Sequence, residues 1–166
     1  MPPEEQVDLV ALEKRVSALE ATNAVSHAAF DWVRTADKVE TYHRIEDVRH
    51  LFYELMTEDG WCDFEGAGWG TWGPDKEEMV EQFMNFAAKI DWAYHIYPNA
   101  KVEVDLDKGE ATFWTACEVV PLKMDGKPQW LFLTSHLSFK LVDGAWKVAC
   151  YKLSDPRIVL ADGSDW

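Results

Sequence analysis

Apolar and small polar residues recur at alternating steps of three and four near the start of the chain. They are Leu9, Leu12, Val16, Leu19, Asn23, Ser26, Phe30 and Val33. This spacing predicts one face of a long amphipathic α-helix. The next position in the same register is Asp37, and an acidic residue that continues an apolar stripe is predicted to point inward. Asp37 is therefore a candidate for chemistry.

A second helix is predicted over residues 45–56, because apolar side chains again follow the helical period. Its apolar positions are Ile45, Val48, Leu51, Phe52, Leu55 and Met56. The turn-forming residues 57–60 are predicted to end this helix, and residues 61–64 to form a short strand. Two helices and a strand thus occupy the first 64 residues.

Glycines punctuate residues 66–73, which are predicted to form a hairpin or bend. Their spacing differs from that of a nucleotide-binding loop, and no βαβ unit surrounds them. Gly73-Pro74 is predicted to begin a third helix that extends to Ile90. Proline suits the first helical position, and the acidic first turn favours the positive end of the helix dipole.

From residue 92 onward the period of the apolar pattern falls to two, which predicts β-strands. The candidate strands are residues 92–97, 100–106, 110–121, 129–142 and 145–153. Turn-forming residues such as Asp143-Gly144 separate them. Helices followed by an antiparallel meander predict an α+β fold, in which one strongly curved sheet wraps against three helices in the N-terminal half.

The chain of 166 residues is predicted to form a single domain over residues 1–166, because no linker or repeat divides it. Residues 1–11 are predicted to form an N-terminal arm that is flexible or contacts another subunit. Residues 154–166 are predicted to form a tail. The front of the first helix, residues 12–20, could pair with another subunit as a short coiled segment.

Acidic side chains outnumber basic ones by 30 to 16, and the formal net charge is −14. Phosphate groups would be repelled, so nucleic acid and anionic membranes are not expected as partners. No segment has the roughly 18 apolar residues of a membrane span or the features of a secretion signal. The sequence therefore predicts a soluble, cytoplasmic protein.

The residues that commonly bind metals and cofactors follow no familiar spacing. The five histidines include His43 and His50, seven positions apart, and the three cysteines are widely separated. No nucleotide loop or zinc motif is present, and free thiols are expected. We predict neither a metal nor a cofactor. The nine tryptophans fill a core or line a pocket for a flat ligand.

Because no metal, cofactor or nucleotide motif is present, acid–base catalysis is the chemistry that we consider next. His95 is the candidate base. It lies in the predicted strand 92–97, on a face enclosed by the curved sheet. Histidine can take up and release a proton near neutral pH. The alternatives are a structural role for His95 and a helix cap or surface ion pair for Asp37. Neither residue alone decides between a catalytic and a structural role.

These features together resemble a known family. The long first helix carries Trp32 five residues before Asp37, an inward histidine follows on a strand, and the meander contains Asp-Gly-x-Trp-Lys-Val at residues 143–148. The order resembles the nuclear-transport-factor-2-like (SnoaL-like) superfamily over residues 12–151. It is most similar to the lyase branch, which includes scytalone dehydratase, bile-acid 7α-dehydratase and hexachlorocyclohexane dehydrochlorinase.

The resemblance implies a cone-shaped α+β fold whose sheet wraps around a pocket for a small hydrophobic, aromatic or polycyclic molecule. It implies His95 as general base, Asp37 as the residue that orients the imidazole, and no cofactor. Relatives assemble as dimers or trimers, so a homodimer or homotrimer is expected. The implied activity is elimination of the dehydratase type.

The proton donor departs from the family's pattern. Trp32 stands where the lyases often have tyrosine or lysine, and an indole N–H cannot transfer a proton. We predict that Tyr42 or His43 reaches the mouth of the pocket instead; surface positions are the alternative. The other predicted pocket residues are Tyr97 and Asn99, which share the parity of His95, together with Trp114 and His136.

Three functions stay open at this point. The leading prediction is a cofactor-independent lyase, with retro-aldol cleavage as a variant. A non-catalytic ligand-binding or accessory-subunit module of the same fold is the alternative. A ketosteroid-isomerase-like enzyme is the third, and it requires an acidic base and a tyrosine-type donor that the sequence does not place.

Overall fold

The computed structural model describes residues 8–160. The helices are α1 (Leu9–Tyr42), α2 (Ile45–Arg49) and α3 (Lys76–Ala87). The strands are β1 (Met56–Phe64), β2 (Gly70–Trp72), β3 (Ile90–Ala93), β4 (Lys101–Asp105), β5 (Glu110–Met124), β6 (Lys127–Val142) and β7 (Ala145–Leu160). The predicted α+β class is confirmed.

The seven strands form one curved, unclosed sheet in the order β2-β1-β7-β6-β5-β3, and β4 also pairs with β5. Neighbouring strands are antiparallel except β1 and β7, which are parallel. The sheet is therefore mixed rather than wholly antiparallel as predicted. The exception arises because β1 enters the sheet from the helical half of the chain, next to the last strand.

Helix α1 begins where Asp8 caps it, since its Oδ1 accepts hydrogen bonds from the backbone N–H groups of Val10 and Ala11. Residues 9–11 are thus helical and not part of an arm; residues 1–7 of the predicted arm lie outside the described residues. None of residues 8–20 is buried. The helix packs against the sheet only in its later part.

The face that α1 buries differs from the predicted stripe. The buried residues are Ala21, Val25, Ala29, Trp32, Val33, Thr35, Ala36, Val39 and Glu40. The predicted positions Leu9, Leu19 and Phe30 are 72%, 69% and 49% exposed. The prediction that the stripe is the buried face of α1 was therefore wrong for the residues before Val33. The sheet contacts the face one residue away from the stripe, where small residues such as Ala29 allow close approach.

The second helix is shorter than predicted. It ends at Arg49, a single π-helical turn follows through Glu54, and strand β1 begins at Met56. Residues 57–60 therefore lie in a strand instead of a turn. Met56 pairs with Val148 and Trp61 with Cys150, so the four residues 57–60 face a single residue of the partner strand. Turn-forming residues accommodate this wide bulge.

Two hairpins follow the predicted turn chemistry. Asp125-Gly126 and Asp143-Gly144 each join adjacent strands with two residues at positive φ. Aspartate tolerates this conformation and glycine adopts it freely, as type I′ hairpins require. The last strand continues to Leu160, so residues 154–160 of the predicted tail are sheet paired with β6. Residues 161–166 lie outside the described residues.

The core lies between the helices and the face of the sheet that they cover. It includes Val25 and Ala29 from α1, Phe52 from the π-helical turn, and Phe113 and Leu137 from the central strands, all at most 2% exposed. Along β6 every second residue from Leu131 to Phe139 is buried. This alternation defines an inner face towards the helices and an outer face.

Candidate active site

His95 follows strand β3 and is held by both the sheet and the first helix. The backbone N–H of Ile96 donates to the carbonyl of Val119, which continues the pairing with β5 after β3 ends at Ala93. The backbone N–H of His95 donates to Asp37 Oδ1 at 2.9 Å. The same oxygen lies 2.8 Å from His95 Nδ1. The two predicted residues are therefore in direct contact.

This contact selects one form of the imidazole. A carboxylate oxygen only accepts hydrogen bonds, so Nδ1 carries a hydrogen and Nε2 holds the lone pair of the neutral ring. The imidazole is largely enclosed, with 12% of its side chain exposed. Asp37 therefore fixes the ring so that Nε2 is the atom able to take a proton.

Two further carboxyl groups lie near His95, and the sequence analysis missed both. Glu40 Oε2 is 3.9 Å from Nδ1, and Glu118 Oε1 is 3.6 Å from Nε2. Glu40 lies three residues after Asp37, on the same face of α1. The helical register that predicted Asp37 to point inward also includes position 40. The same pattern therefore predicts an inward Glu40.

Simple alternation of inward and outward residues along β5 does not predict that Glu118 is buried. Thr115 pairs with Ser135 and Glu118 with Leu133, so two residues of β5 face one of β6. This β-bulge shifts the inward positions by one, since regular alternation from Thr115 would bury Cys117. Instead Cys117 is exposed and Glu118 is fully buried.

Glu118 is well supplied with hydrogen-bond donors. Ser135 Oγ donates to Glu118 Oε2, and the Tyr151 hydroxyl donates to the same oxygen at 3.3 Å. The Tyr97 hydroxyl lies 3.4 Å from that of Tyr151. Burial raises the pKa of Glu118 to about 7, although the charge of His95 and the tyrosine hydroxyls oppose the shift.

The charges around His95 outweigh its burial. Burial alone would lower its pKa, but the charge of Glu40, the hydrogen bond to Asp37 and the charge of Glu118 raise it to about 10. Burial raises the pKa of Glu40 to about 7, with His95 opposing and the two other carboxyls adding to the shift. His95, Glu40 and Glu118 therefore form a coupled cluster that retains protons at neutral pH.

A cavity adjoins this cluster. Within residues 8–160, Glu40 and His95 are the acidic and basic side chains that line it, while Asp37 and Glu118 lie behind them. Aromatic rings in mutual contact form the opposite wall: Phe64, Trp69, Trp72, Phe83 and Phe86. The lining of the cavity is therefore mainly apolar, and Glu40 and His95 bring proton-binding groups to it.

The cavity volume is about 60 Å³. A cavity of about 150 Å³ in another protein holds a benzene molecule. A ring-sized ligand thus fits only if side chains move. Trp69 and Trp72, which line the cavity, are half-buried on the short β1–β2 hairpin.

Two of the predicted pocket residues line the cavity, Trp32 and Tyr97. Trp32 is 2% exposed, and its ring meets those of Phe52 and Tyr151 edge to face. Its Nε1 has no hydrogen-bond partner among the described residues. Trp32 therefore offers one free donor beside the cavity.

Three predicted pocket residues lie elsewhere. Tyr42 is 66% exposed at the last position of α1, and the exposed His43 ends that helix at a φ of 53°. Asn99 is exposed in the turn before β4, at a φ of 56°. None of these three residues lines the cavity.

Trp114 and His136 are paired across β5 and β6 on the outer face of the sheet. Trp114 is 41% exposed, and neither residue lines the cavity. His136 also pairs with Lys152 of β7, and partial burial followed by that lysine's charge lowers the histidine pKa. The pocket role predicted for both was wrong, since their strand parity is opposite to that of the inner residues.

In the part of the chain that the structure describes, no three histidine, cysteine, aspartate or glutamate side chains converge in a way that could hold a metal ion. No helix among residues 8–160 is long and apolar enough to cross a membrane.

No family model matches the sequence, and no curated protein matches it. Solved structures do. LinA aligns with a TM-score of 0.71 at 13% identity, covering 92% of this chain and 97% of its own. Hexachlorocyclohexane dehydrochlorinase LinA-type3 from Novosphingobium barchaimii LL02 aligns with a TM-score of 0.62 at 15% identity, covering 96% and 94%.

An NTF2-like protein with a cystatin-like fold from Novosphingobium aromaticivorans aligns with a TM-score of 0.61 at 20% identity, covering 95% of this chain and 92% of its own. Almost the whole chain is matched in each comparison. The chain therefore has the nuclear-transport-factor-2-like fold that the resemblance predicted.

Proposed function

We propose that this protein is a cofactor-independent lyase that eliminates a leaving group from a small hydrophobic, ring-containing molecule. The observation that carries the proposal is the His95 imidazole, fixed by Asp37 at 2.8 Å and facing an apolar cavity. Neighbours of the same fold include enzymes named dehydrochlorinases, and removal of hydrogen chloride is an elimination.

In the proposed reaction, Nε2 of neutral His95 takes a proton from carbon, and the leaving group departs from the adjacent carbon as the double bond forms. Asp37 stabilises the imidazolium because it accepts from Nδ1. The apolar wall excludes water and strengthens this interaction. Retro-aldol cleavage uses the same base, which then takes a hydroxyl proton instead of a carbon-bound one.

The raised pKa of His95 has a consequence for the pH dependence. With a pKa of about 10, most imidazoles in the empty cavity carry a proton at pH 7, and only the neutral form can act as a base. For a halogenated substrate, whose leaving group needs no proton, we expect turnover to rise as the pH increases from 7 towards 10. A pH profile of kcat/KM, which reports the free enzyme, measures this limb.

The proposal is tested with three proteins: wild type, His95→Ala and Asp37→Asn. Each is incubated with hydroxylated and halogenated cyclic compounds; product is followed by mass spectrometry and binding by the rise in melting temperature. We expect a compound that binds all three and is converted by wild type alone. If compounds bind but wild type converts none, a non-catalytic ligand-binding or accessory module is the better account.

A double-bond isomerase is a second candidate. Such an enzyme needs an acidic base and a tyrosine donor, and Glu40, Tyr97 and Tyr151 all line the cavity. An isomerase moves a proton from one carbon to another and releases nothing. Equal masses of substrate and product would favour it, whereas loss of water or hydrogen halide favours the lyase.

We also propose that the protein assembles as a homo-oligomer. The first three turns of α1 present Leu9, Leu12, Val16 and Leu19 to solvent, each at least 45% exposed. Their three-and-four spacing is that of a coiled-coil seam, and a second copy of α1 offers the same surface. The helix front is therefore the surface that we assign to subunit contact.

A further inference from the structure

The proposed elimination needs a group that protonates a poor leaving group, and the predicted donors do not supply it. Tyr42 and His43 are exposed outside the cavity, and the indole N–H of Trp32 cannot transfer a proton. A hydroxide ion leaves carbon slowly unless a proton reaches it at the same time. The donor must therefore be sought among the other groups that line the cavity.

Glu40 has the required position. It is 4% exposed, lines the cavity with His95, and lies one helical turn after Asp37 on α1. Its Oε2 has no hydrogen-bond partner among the described residues. A buried carboxyl oxygen without a partner is costly, and a ligand in the cavity can provide that partner.

The other carboxyl groups of the cluster are already engaged. Asp37 Oδ1 accepts from both the backbone and the ring of His95. Glu118 accepts from Ser135 and Tyr151 and does not line the cavity. Glu40 is therefore the carboxyl whose free oxygen adjoins the space where a ligand would bind.

We propose that Glu40 is the general acid of this site, a role that rests on the proposed elimination. Neutral His95 takes the proton from carbon, the double bond forms, and the bond from carbon to the leaving oxygen breaks. That oxygen takes the proton of Glu40 and departs as water. The site then holds an imidazolium and a carboxylate, and transfer of one proton from His95 to Glu40 restores both groups.

The arrangement of protons is consistent with this role. Burial keeps the pKa of Glu40 near 7, so a substantial fraction holds its proton at neutral pH. The His95 Nδ1 and Glu40 Oε2 are 3.9 Å apart. The reactive form of the site is the one in which Glu40 holds a proton while Nδ1 donates to Asp37 and Nε2 is unprotonated.

The test compares two substrates that differ in the need for a proton. With 3-hydroxycyclohexanone the leaving group is hydroxide, whereas 3-chlorocyclohexanone releases chloride, which needs none. Rates for each are corrected for uncatalysed loss. We expect Glu40→Gln to lower turnover of the hydroxy compound about 100-fold or more and that of the chloro compound less than about 5-fold. Glu46→Gln, an exposed match on α2, should leave both unchanged.

An equal loss on both substrates would overturn the proposal, because a merely structural role does not depend on the leaving group. Unchanged turnover of the hydroxy compound would overturn it too. If wild type and His95→Ala are equally inert on both compounds, the proposed function fails for these rings, and a measurement without substrate decides on Glu40. The infrared absorption of protonated carboxyls at pH 6 should decrease in Glu40→Gln relative to wild type, with the contribution of Glu118 remaining; an absorption unchanged by the substitution contradicts the acid role.

Discussion

Helix α1 has two parts that differ in what they bury. In the front part, Leu9 and Leu19 are 72% and 69% exposed. In the rear part Glu40, an acidic residue, is 4% exposed. Burial therefore depends on what packs against the helix and not on the polarity of each side chain. The sheet covers the rear part, and none of the first twelve helical residues is buried.

Each part has its own physical consequence. Exposed apolar residues gain free energy when another surface covers them, so the front suits contact between subunits. Buried carboxyl groups lose solvation, and their pKa values rise into the range useful for proton transfer. The rear part therefore carries the proposed chemistry and the front part the proposed assembly.

The largest effect is expected at Asp37 in the rear part. Asp37→Asn keeps the shape but replaces the acceptor of Nδ1, so the imidazole no longer holds its lone pair on Nε2 with the same preference. We expect kcat to fall roughly 10³- to 10⁴-fold with the fold retained. Steady-state kinetics and circular dichroism measure the two quantities. Loss of less than tenfold would show that Asp37 does not orient the base.

Two valines sharpen the comparison of stability. Val25 is fully buried and Val16 is 45% exposed, on the same helix. Val25→Ala should lower the free energy of unfolding by about 2 kcal/mol, and Val16→Ala by less than about 0.5 kcal/mol. Urea denaturation of both variants at a concentration where the protein is monomeric supplies the values. Equal losses of unfolding free energy would contradict the finding that only the rear part of α1 is buried.

The cluster of Glu40, His95 and Glu118, which the rear part of α1 helps to form, should also make stability depend on pH. The folded-state pKa of His95 is raised from 6.5 to about 10, and those of Glu40 and Glu118 from 4.5 to about 7. The folded cluster thus binds protons more tightly than the unfolded chain. Its stabilisation is full below pH 4.5, decreases up to pH 7 as the carboxyls ionise, and decreases further up to pH 10.

Chemical denaturation at pH 5, 7 and 9 follows this decrease. Glu40→Gln should flatten the portion between pH 5 and 7 relative to wild type, while Glu46→Gln should not. A wild-type stability that increases with pH across this range would contradict the assigned protonation of the cluster.

The smallest effect on the folded subunit is expected from the front part. Replacing Leu12 and Leu19 together by serine should leave the monomer's melting temperature within a few degrees of wild type, because both are exposed. Light scattering after gel filtration should show a lower mass for the variant than for wild type. The same mass for both proteins would show that the helix front is not the contact surface.

Much of the fold could be predicted from local patterns. The alternation of apolar residues and the Asp-Gly pairs located strands β4 to β7 and their turns, since both signals act over a few residues. The bulge in β1 could not be predicted, because Thr57 to Gly60 look like a turn until β7 pairs beside them. Pairing between distant strands decides such cases.

The candidate site likewise contains residues that local patterns predict and a residue that they do not. The helical register placed Asp37 inward, and Glu40 follows from the same reasoning three residues later. Glu118 depends on a bulge that two strands create together, so no local pattern contains it. Tyr42 and His43 do not line the cavity, because Tyr42 is the exposed last residue of α1 and His43 ends that helix.

The most direct test of the central claim is chemical rescue of His95→Ala. Removal of the imidazole leaves a space beside Asp37, and free imidazole added to the solution can occupy it. We expect the variant to lose nearly all turnover of a compound that wild type converts, and to regain at least tenfold when imidazole is added. An active His95→Ala variant without imidazole would show that another group takes the proton and would contradict the account.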